Sequence, residues 1–315
     1  MDDQEEYLIS YANLRSGLFK YQNNFLDQNI LEKFYKNEYM GVPICLPCGI
    51  KFFDYTKANF FTIKKKIFSI KIFKTSKLDY IGNKKYFRYG NIFATNVKLK
   101  KKFYSKYKFY LSNIKNLRKK ILLLKKKNKS ICSMQIRNVP HFGHEVVFKY
   151  ILKKFDKLVL NPIFGIKKKN DFSDLAISKS LEYIQKKYKK IYFYPIWSNF
   201  YYAGPREALH HLSIRQNLGF NFFYIGRDHA GAENLYKSNT ASKISTKYKN
   251  FFSIKAVKSD GGYFCIKCND YVIKNSCNHK KLINISGTDF RSYLKKKIIY
   301  QHADTNLQKL IYKYL

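Results

Sequence analysis

Ile131-Cys132-Ser133-Met134-Gln135-Ile136-Arg137-Asn138-Val139-Pro140-His141-Phe142-Gly143-His144 decides the fold of this 315-residue chain. An apolar run comes first. A loop follows that gathers an amide, a guanidinium and two imidazoles, and a helical pattern comes next, with Val147, Ile151 and Phe155 at i, i+4 and i+8. The stretch reads as strand, polar loop and helix. A helix start offers unpaired N–H groups and a favourable dipole, so a loop at that junction suits an oxyanion or a polyphosphate. In this reading Gly143 lets the backbone approach such a ligand.

The pattern repeats downstream. Strands are expected at 130–136, 157–163, 190–196, 220–226 and 250–256. Helices are expected at 144–155, 172–188, 205–217 and 232–247. Alternating β and α units predict a parallel, doubly wound sheet, whose ligands bind beyond the carboxyl ends of the strands. Gly226-Arg227-Asp228-His229-Ala230-Gly231 follows one expected strand as the 135–144 loop follows another, so two polar loops should converge on one rim. Upstream, residues 1–128 read as mostly β with some helix at the start, closing on a Lys-rich exposed face at 119–128. Residues 257–315 form a short tail region ending in a helix. Three domains are expected, at 1–128, 129–256 and 257–315.

The formal net charge of +40 would ordinarily point to nucleic acid or an anionic membrane. The residue choice points elsewhere. Only eight of the 61 cationic residues are Arg, and Tyr (28) and Phe (27) far outnumber Trp (1) and Pro (6). Lys, Asn, Ile, Phe and Tyr have AT-rich codons, so a biased genome accounts for lysines scattered from end to end. Specific nucleic-acid binding is not expected. Five of the eight arginines, Arg137, Arg206, Arg215, Arg227 and Arg291, fall in the motifs discussed here. An Arg kept in such a chain marks a need for a planar fork on an anion. The first residues are acidic and lack a signal-peptide core, and no apolar run approaches the roughly 18–20 residues of a membrane span. A cytoplasmic protein with no membrane partner is expected.

Further chemistry lies in the tail. Cys265-x2-Cys268-x8-Cys277-x-His279 supplies three thiolates and an imidazole, a set suited to structural Zn2+. Cys45-x2-Cys48 reads as buried thiols, a redox pair, or half of a four-thiolate site with Cys265 and Cys268. Ser286-Gly287-Thr288-x-x-Arg291 reads first as an ordinary helix N-cap. Pro205 opens the 205–217 helix, on which at least one of His210 and His211 is expected to pack rather than react.

Four motifs in order, Gln135–His144, Tyr202-Ala203-Gly204-Pro205-Arg206-Glu207, Gly226–Gly231 and Ile285-Ser286-Gly287-Thr288, resemble the ATP sulfurylase (sulfate adenylyltransferase) family, in its zinc-bearing prokaryotic form. The segment Asn161–Gly165 with Lys167–Asp171 is similar to the same family, and the resemblance covers roughly 129–295. It implies an α/β fold: a Rossmann-like nucleotidyltransferase domain, preceded by a reduced, mostly β PUA-like domain and followed by a small zinc-bearing α/β domain. It implies the reversible reaction of ATP and sulfate to adenylyl sulfate and diphosphate, with Mg2+ accompanying ATP. Carried over by position, Gln135, Arg137 and Ala230 would hold sulfate. Asn138, His141 and His144 would hold the ATP phosphates, Gln135 and Arg137 would also border ATP, and Arg137, Asn138 and the two histidines would form the catalytic set. Gly226, Arg227, Asp228 and His229 would line the nucleotide site. A homo-oligomer, as small as a dimer, is implied. The chain departs from the family pattern at Ile136, where Thr is usual, at Phe200-Tyr201 and at Ala232-Glu233. No Gly-x4-Gly-Lys-Ser/Thr loop occurs, so no fused adenylyl-sulfate kinase is expected. Two other readings compete: a different His-x-Gly-His adenylyltransferase acting on a small cofactor precursor, and a basic zinc-containing nucleic-acid-binding protein.

Overall fold

The computed structural model describes residues 3–19, 22–25, 27–36, 42, 47–49, 68–74, 92–165, 171–201, 203–227, 229, 236–237 and 239–315. Cys45, Tyr202, Asp228 and Ala230 lie outside these residues, as does the side chain of Cys48. The chain forms two compact units. The first comprises Met1–Leu122, Trp197–Phe220 and Asp228–Lys255, and the second Leu123–Ile196, Asn221–Arg227 and Ala256–Leu315.

The elements in chain order begin with α1 (Asp3–Arg15), α2 (Gln28–Tyr35), β1 (Pro47–Gly49), β2 (Phe68–Lys74), β3 (Ile92–Leu99) and α3 (Tyr104–Lys127). There follow β4 (Ile131–Ile136), α4 (Phe142–Leu152), β5 (Lys157–Phe164), α5 (Asp174–Lys187), β6 (Ile191–Phe193), β7 (Ile196–Trp197), α6 (Pro205–Leu218) and β8 (Phe222–Ile225). The last are α7 (Thr240–Lys247), β9 (Lys255–Lys258), β10 (Gly262–Cys265), β11 (Asp270–Ile273), β12 (Leu282–Asn284), α8 (Gly287–Lys295) and α9 (Thr305–Ile311).

The central sheet positions the site. Its order is β6-β5-β4-β8-β9, and β4 pairs in parallel with both β5 and β8. The chain winds outward from β4 through β5 to β6, then resumes on the other side of β4 with β8. That reversal is the topological switch point at which open α/β sheets bind ligands. Because β4 and β8 are in register as neighbours (Cys132 with Phe222, Met134 with Tyr224), Arg137 and Gly226 leave adjacent strand ends. The starts of the two polar loops, Arg137 and Gly226, therefore share one rim of the sheet.

The core follows the apolar periodicity. Cys132, Met134 and Ile136 of β4 and Leu158 and Leu160 of β5 are buried with Val147, Phe148 and Ile151 of α4. Ala176, Ile177, Leu181 and Ile184 of α5 and Phe290, Leu294, Leu307 and Ile311 of the last two helices complete the cluster. Ile136 is only 2% exposed, so its methyls are part of this core.

Three expectations need correction. The Lys-rich stretch 119–128 does not close a β region; most of it belongs to the 24-residue α3, whose Tyr110, Ile114, Leu117, Ile121 and Leu124 form one buried stripe beneath exposed lysines. The strand expected at 250–256 begins at Lys255, because Lys249–Phe251 forms a 3-10 turn. The tail, expected to be a short region ending in a helix, holds an antiparallel sheet, β11-β10-β12, followed by two helices, α8 and α9. The helix expected over 232–247 is described from Thr240 onward.

Candidate active site and metal centre

The loop after β4 ends on His141, the N-cap of α4, in extended conformation. Its N–H donates to Nδ1 of His144 at 3.3 Å, and the N–H of His144 donates back to the His141 carbonyl at 2.8 Å. The two rings lie 4.0 Å apart. With Nδ1 of His144 accepting, its proton sits on Nε2, leaving that edge as a donor. Burial draws His144 down to about 4, and burial with neighbouring His144 and His302 draws His141 well below the ordinary imidazole value. Both are therefore neutral at pH 7, and an arriving polyanion would strengthen their N–H donation. Gly143 also makes room for a neighbouring side chain. A Cβ there would lie 3.0 Å from the His141 ring, so the imidazole occupies that space and the small residue seats the first histidine against the helix.

A second element enters from α8. The Ser286 hydroxyl accepts from the N–H groups of Thr288 and Asp289, as the cap reading required. The same motif also reaches the site. Arg291 Nη2 donates to Asn138 Oδ1 at 3.1 Å, and Nη1 pairs with Asp171 at 3.0 Å, the carboxylate being 4% exposed. The Asn138 amide is thereby turned, with Oδ1 on the guanidinium and the Nδ2 donors on the opposite side. A Cβ built on Gly287 would stand 3.0 Å from Asn138 Nδ2 and 3.9 Å from His141 Nε2. Two nitrogen-bearing side chains thus converge over a residue that lacks a side chain. Arg291 and Asp171 were not assigned to the site from the sequence; the scarcity of Arg was the available signal.

Gln135, near the end of β4, has its Oε1 buried without a hydrogen-bond partner among the described residues. Arg137 is half-buried at the start of the loop. After Gly226, Arg227 stacks on Tyr263 with 5.4 Å from guanidinium to ring centre, donates to the Tyr263 hydroxyl and reaches Asn284 Oδ1 at 3.4 Å. In the other unit, His229 Nε2 meets His211 Nδ1 at 2.9 Å. His210 is a packing residue, lying 4.7 Å from the Phe19 ring and edge-on to Tyr201. Of the sequence-derived set, the structure brings together Asn138, His141 and His144, and it places Arg227 on the β10 sheet.

The candidate metal ligands come from that small sheet. Cys265 ends β10, Cys268 lies in the turn to β11, and Cys277 and His279 lie between β11 and β12. Their ligand atoms all fall within 4.8 Å of one another. The Cys265 and Cys277 sulfurs are 3.8 Å apart, and His279 Nδ1 is 3.5 and 3.2 Å from Cys265 and Cys268. Tetrahedral zinc with Zn–S bonds of about 2.3 Å requires sulfurs about 3.8 Å apart. The Cys268 N–H, directed at the Cys265 sulfur, holds that thiol below its ordinary value, towards the thiolate a metal needs. The residues fit Zn2+.

Comparison with known proteins adds an independent line. Residues 110–300 match the ATP-sulfurylase family model. The sulfate adenylyltransferase of Pyrococcus abyssi is 31% identical over 249 residues, covering 76% of this chain and 64% of that protein. The Ignicoccus hospitalis enzyme of the same name is 34% identical over 268 residues, covering 81% and 66% respectively. That of Staphylothermus marinus is 37% identical over 184 residues, covering 57% and 48%. The chain thus spans about half to two thirds of the length of these curated relatives. Among solved structures, a hexameric APS kinase from Thiobacillus denitrificans shares the fold, with TM-score 0.64 at 13% identity over 99% of this chain and 62% of that one. With the family model matching well over half of its residues, the chain belongs to the ATP-sulfurylase family.

Proposed function

We propose that this protein is a sulfate adenylyltransferase, converting ATP and sulfate reversibly to adenylyl sulfate and diphosphate. The observation that carries the reading is the convergence of Asn138, pinned by Arg291, with the neutral His141–His144 pair at the β4–β8 switch point. A sulfate oxygen attacks the α-phosphorus in line. The new S–O–P bridge forms as the bond from the α-phosphorus to the bridging oxygen breaks, and diphosphate leaves with the electron pair. No covalent enzyme intermediate is required, so the protein positions the reactants and stabilises developing charge. Gln135, Arg137 and the backbone at Ala230 hold sulfate. Asn138, His141 and His144 hold the phosphates, with the imidazole N–H groups facing the charge that builds on diphosphate. Gly226, Arg227, Asp228 and His229 line the nucleotide site, and Mg2+ enters with ATP. Zn2+ on Cys265, Cys268, Cys277 and His279 would crosslink the β10–β12 sheet on which Arg227 rests.

The rest of the organisation follows the family: a Rossmann-like catalytic domain over 129–256, a reduced PUA-like domain over 1–128, a zinc-bearing domain over 257–315, and a cytoplasmic homo-oligomer. Among the described residues no helix is long and apolar enough to cross a membrane. The test is diphosphate release with sulfate as the only acceptor. Sulfate-dependent turnover that Arg137→Lys abolishes is the expected result. A folded protein that releases diphosphate only with a cofactor precursor would instead be a different His-x-Gly-His adenylyltransferase.

A further inference from the structure

The first unit holds a polar chain, buried at Glu207 and His211, that ends on the half-buried His229, a residue assigned above to the nucleotide site. Glu207 is the third residue of α6 and 2% exposed. Its two carboxylate oxygens accept from the N–H groups of Tyr201 and Ala203 at 2.9 and 3.1 Å, which fixes the carboxylate in place. One turn on, His211 turns Nε2 towards Glu207 Oε1 at 3.8 Å, and its Nδ1 meets His229 Nε2 at 2.9 Å. The two imidazole planes stand at 83°, edge to face. Burial keeps both histidines neutral, reinforced at His211 by the neighbouring His229 and at both by the field of Arg215, fully buried on the same helix.

Two neutral imidazoles in contact share one proton between the facing nitrogens. If His211 Nδ1 carried it, the lone pair of His211 Nε2 would face the Glu207 carboxylate. If His229 Nε2 carries it, His211 keeps its own proton on Nε2 and presents N–H to that carboxylate. At 3.8 Å this is an electrostatic preference rather than a hydrogen bond, and it favours the second arrangement. We infer that Glu207 and His211 are positioning residues that hold the His229 ring as its Nε2–H tautomer. The inference rests on the reading that His229 lines the nucleotide site. A backbone-anchored carboxylate sets one ring, and that ring sets the next, so the His229 imidazole is oriented before ATP arrives.

Two variants separate positioning from plain packing. In His211→Asn the amide falls near ring Nδ1, so the contact with His229 is kept. In His211→Gln it falls near Nε2, so the contact with Glu207 is kept and that with His229 is lost. With both variants folded, as judged by thermal melting, His211→Gln should raise the KM for ATP at least about tenfold with kcat less affected, and His211→Asn should recover most of that loss. Long-range 15N–1H spectra of the wild-type protein, with His229 assigned through His229→Asn, should show Nδ1 unprotonated and Nε2 protonated. Equal losses in the two variants, or an Nδ1–H tautomer at His229, would overturn the inference. The nucleotide reading fails separately, through absence of saturable binding of a non-hydrolysable ATP analogue to the wild-type protein. That result removes the purpose assigned to the chain, whereas a wrong tautomer with intact nucleotide binding removes only the chain itself.

Discussion

Replacing Arg291 with Lys tests how the α8 motif enters the chemistry. The guanidinium spans two partners at once, Asp171 at 3.0 Å and Asn138 at 3.1 Å, with its own side chain 17% exposed. A lysine retains the charge and can keep the Asp171 pair, but a single ammonium cannot reproduce the fork. The lost contact is a charge-assisted hydrogen bond to a neutral amide, worth about 1.5–3 kcal/mol, and it is the contact that orients Asn138. If that free energy is expressed at the transition state, kcat/KM falls by about 10- to 150-fold. Removing Asn138 itself, as Asn138→Ala, takes away the proposed phosphate donor and should cost on the order of 100- to 1,000-fold. The decisive assay is a double-mutant cycle on sulfate-dependent diphosphate release. Since Arg291 acts through Asn138, the double variant should be no slower than Asn138→Ala. Fully additive losses, with all three variants folded, would refute the claim that the guanidinium works through the amide.

Other outcomes follow from the same geometry. Metal analysis should find about one Zn2+ per chain, and His279→Ala should lower both the zinc content and the melting temperature; a metal-free protein with an unchanged melt would reduce the four ligands to coincidence. Gly287→Ala should fold normally yet lose activity, because the new methyl meets Asn138 Nδ2 at 3.0 Å; undiminished turnover would show that no ligand approaches there. His144 binds a proton more readily unfolded than folded, so its contribution to stability is fully present above about pH 6.5. It is lost as pH falls towards 4, by up to about 3 kcal/mol if the ordinary value returns on unfolding. Urea midpoints measured across that range should fall less steeply in His144→Gln than in wild type, and parallel curves would exclude this histidine as the source.

Much of the second unit was legible in the sequence because β and α periods alternate cleanly there. The apolar run before Gln135 and the Val147-Ile151-Phe155 stripe placed β4 and α4 within two or three residues of their observed ends. The cysteine spacing likewise foretold the clustering of Cys265, Cys268, Cys277 and His279. Helix α3 was hidden by composition: its buried stripe is interleaved with lysines and with the exposed Leu122 and Leu123, so the apolar face does not stand out from the run of charge. Arg291 was hidden by ambiguity. Ser286 does cap α8, a sufficient reason for the motif, and only the fold brings Arg291 to Asn138, 153 residues earlier in the chain. The pairing of His211 with His229 had no local signature, since residues 18 apart meet only once the intervening chain has folded back.

The central claim is direct attack by sulfate without an adenylyl-enzyme intermediate, and exchange of labelled diphosphate into ATP tests it most directly. Exchange should require sulfate, rise with its concentration, and vanish when sulfate is withheld. Exchange at full rate with no sulfate present would mean that the enzyme itself takes the adenylyl group, contradicting the mechanism.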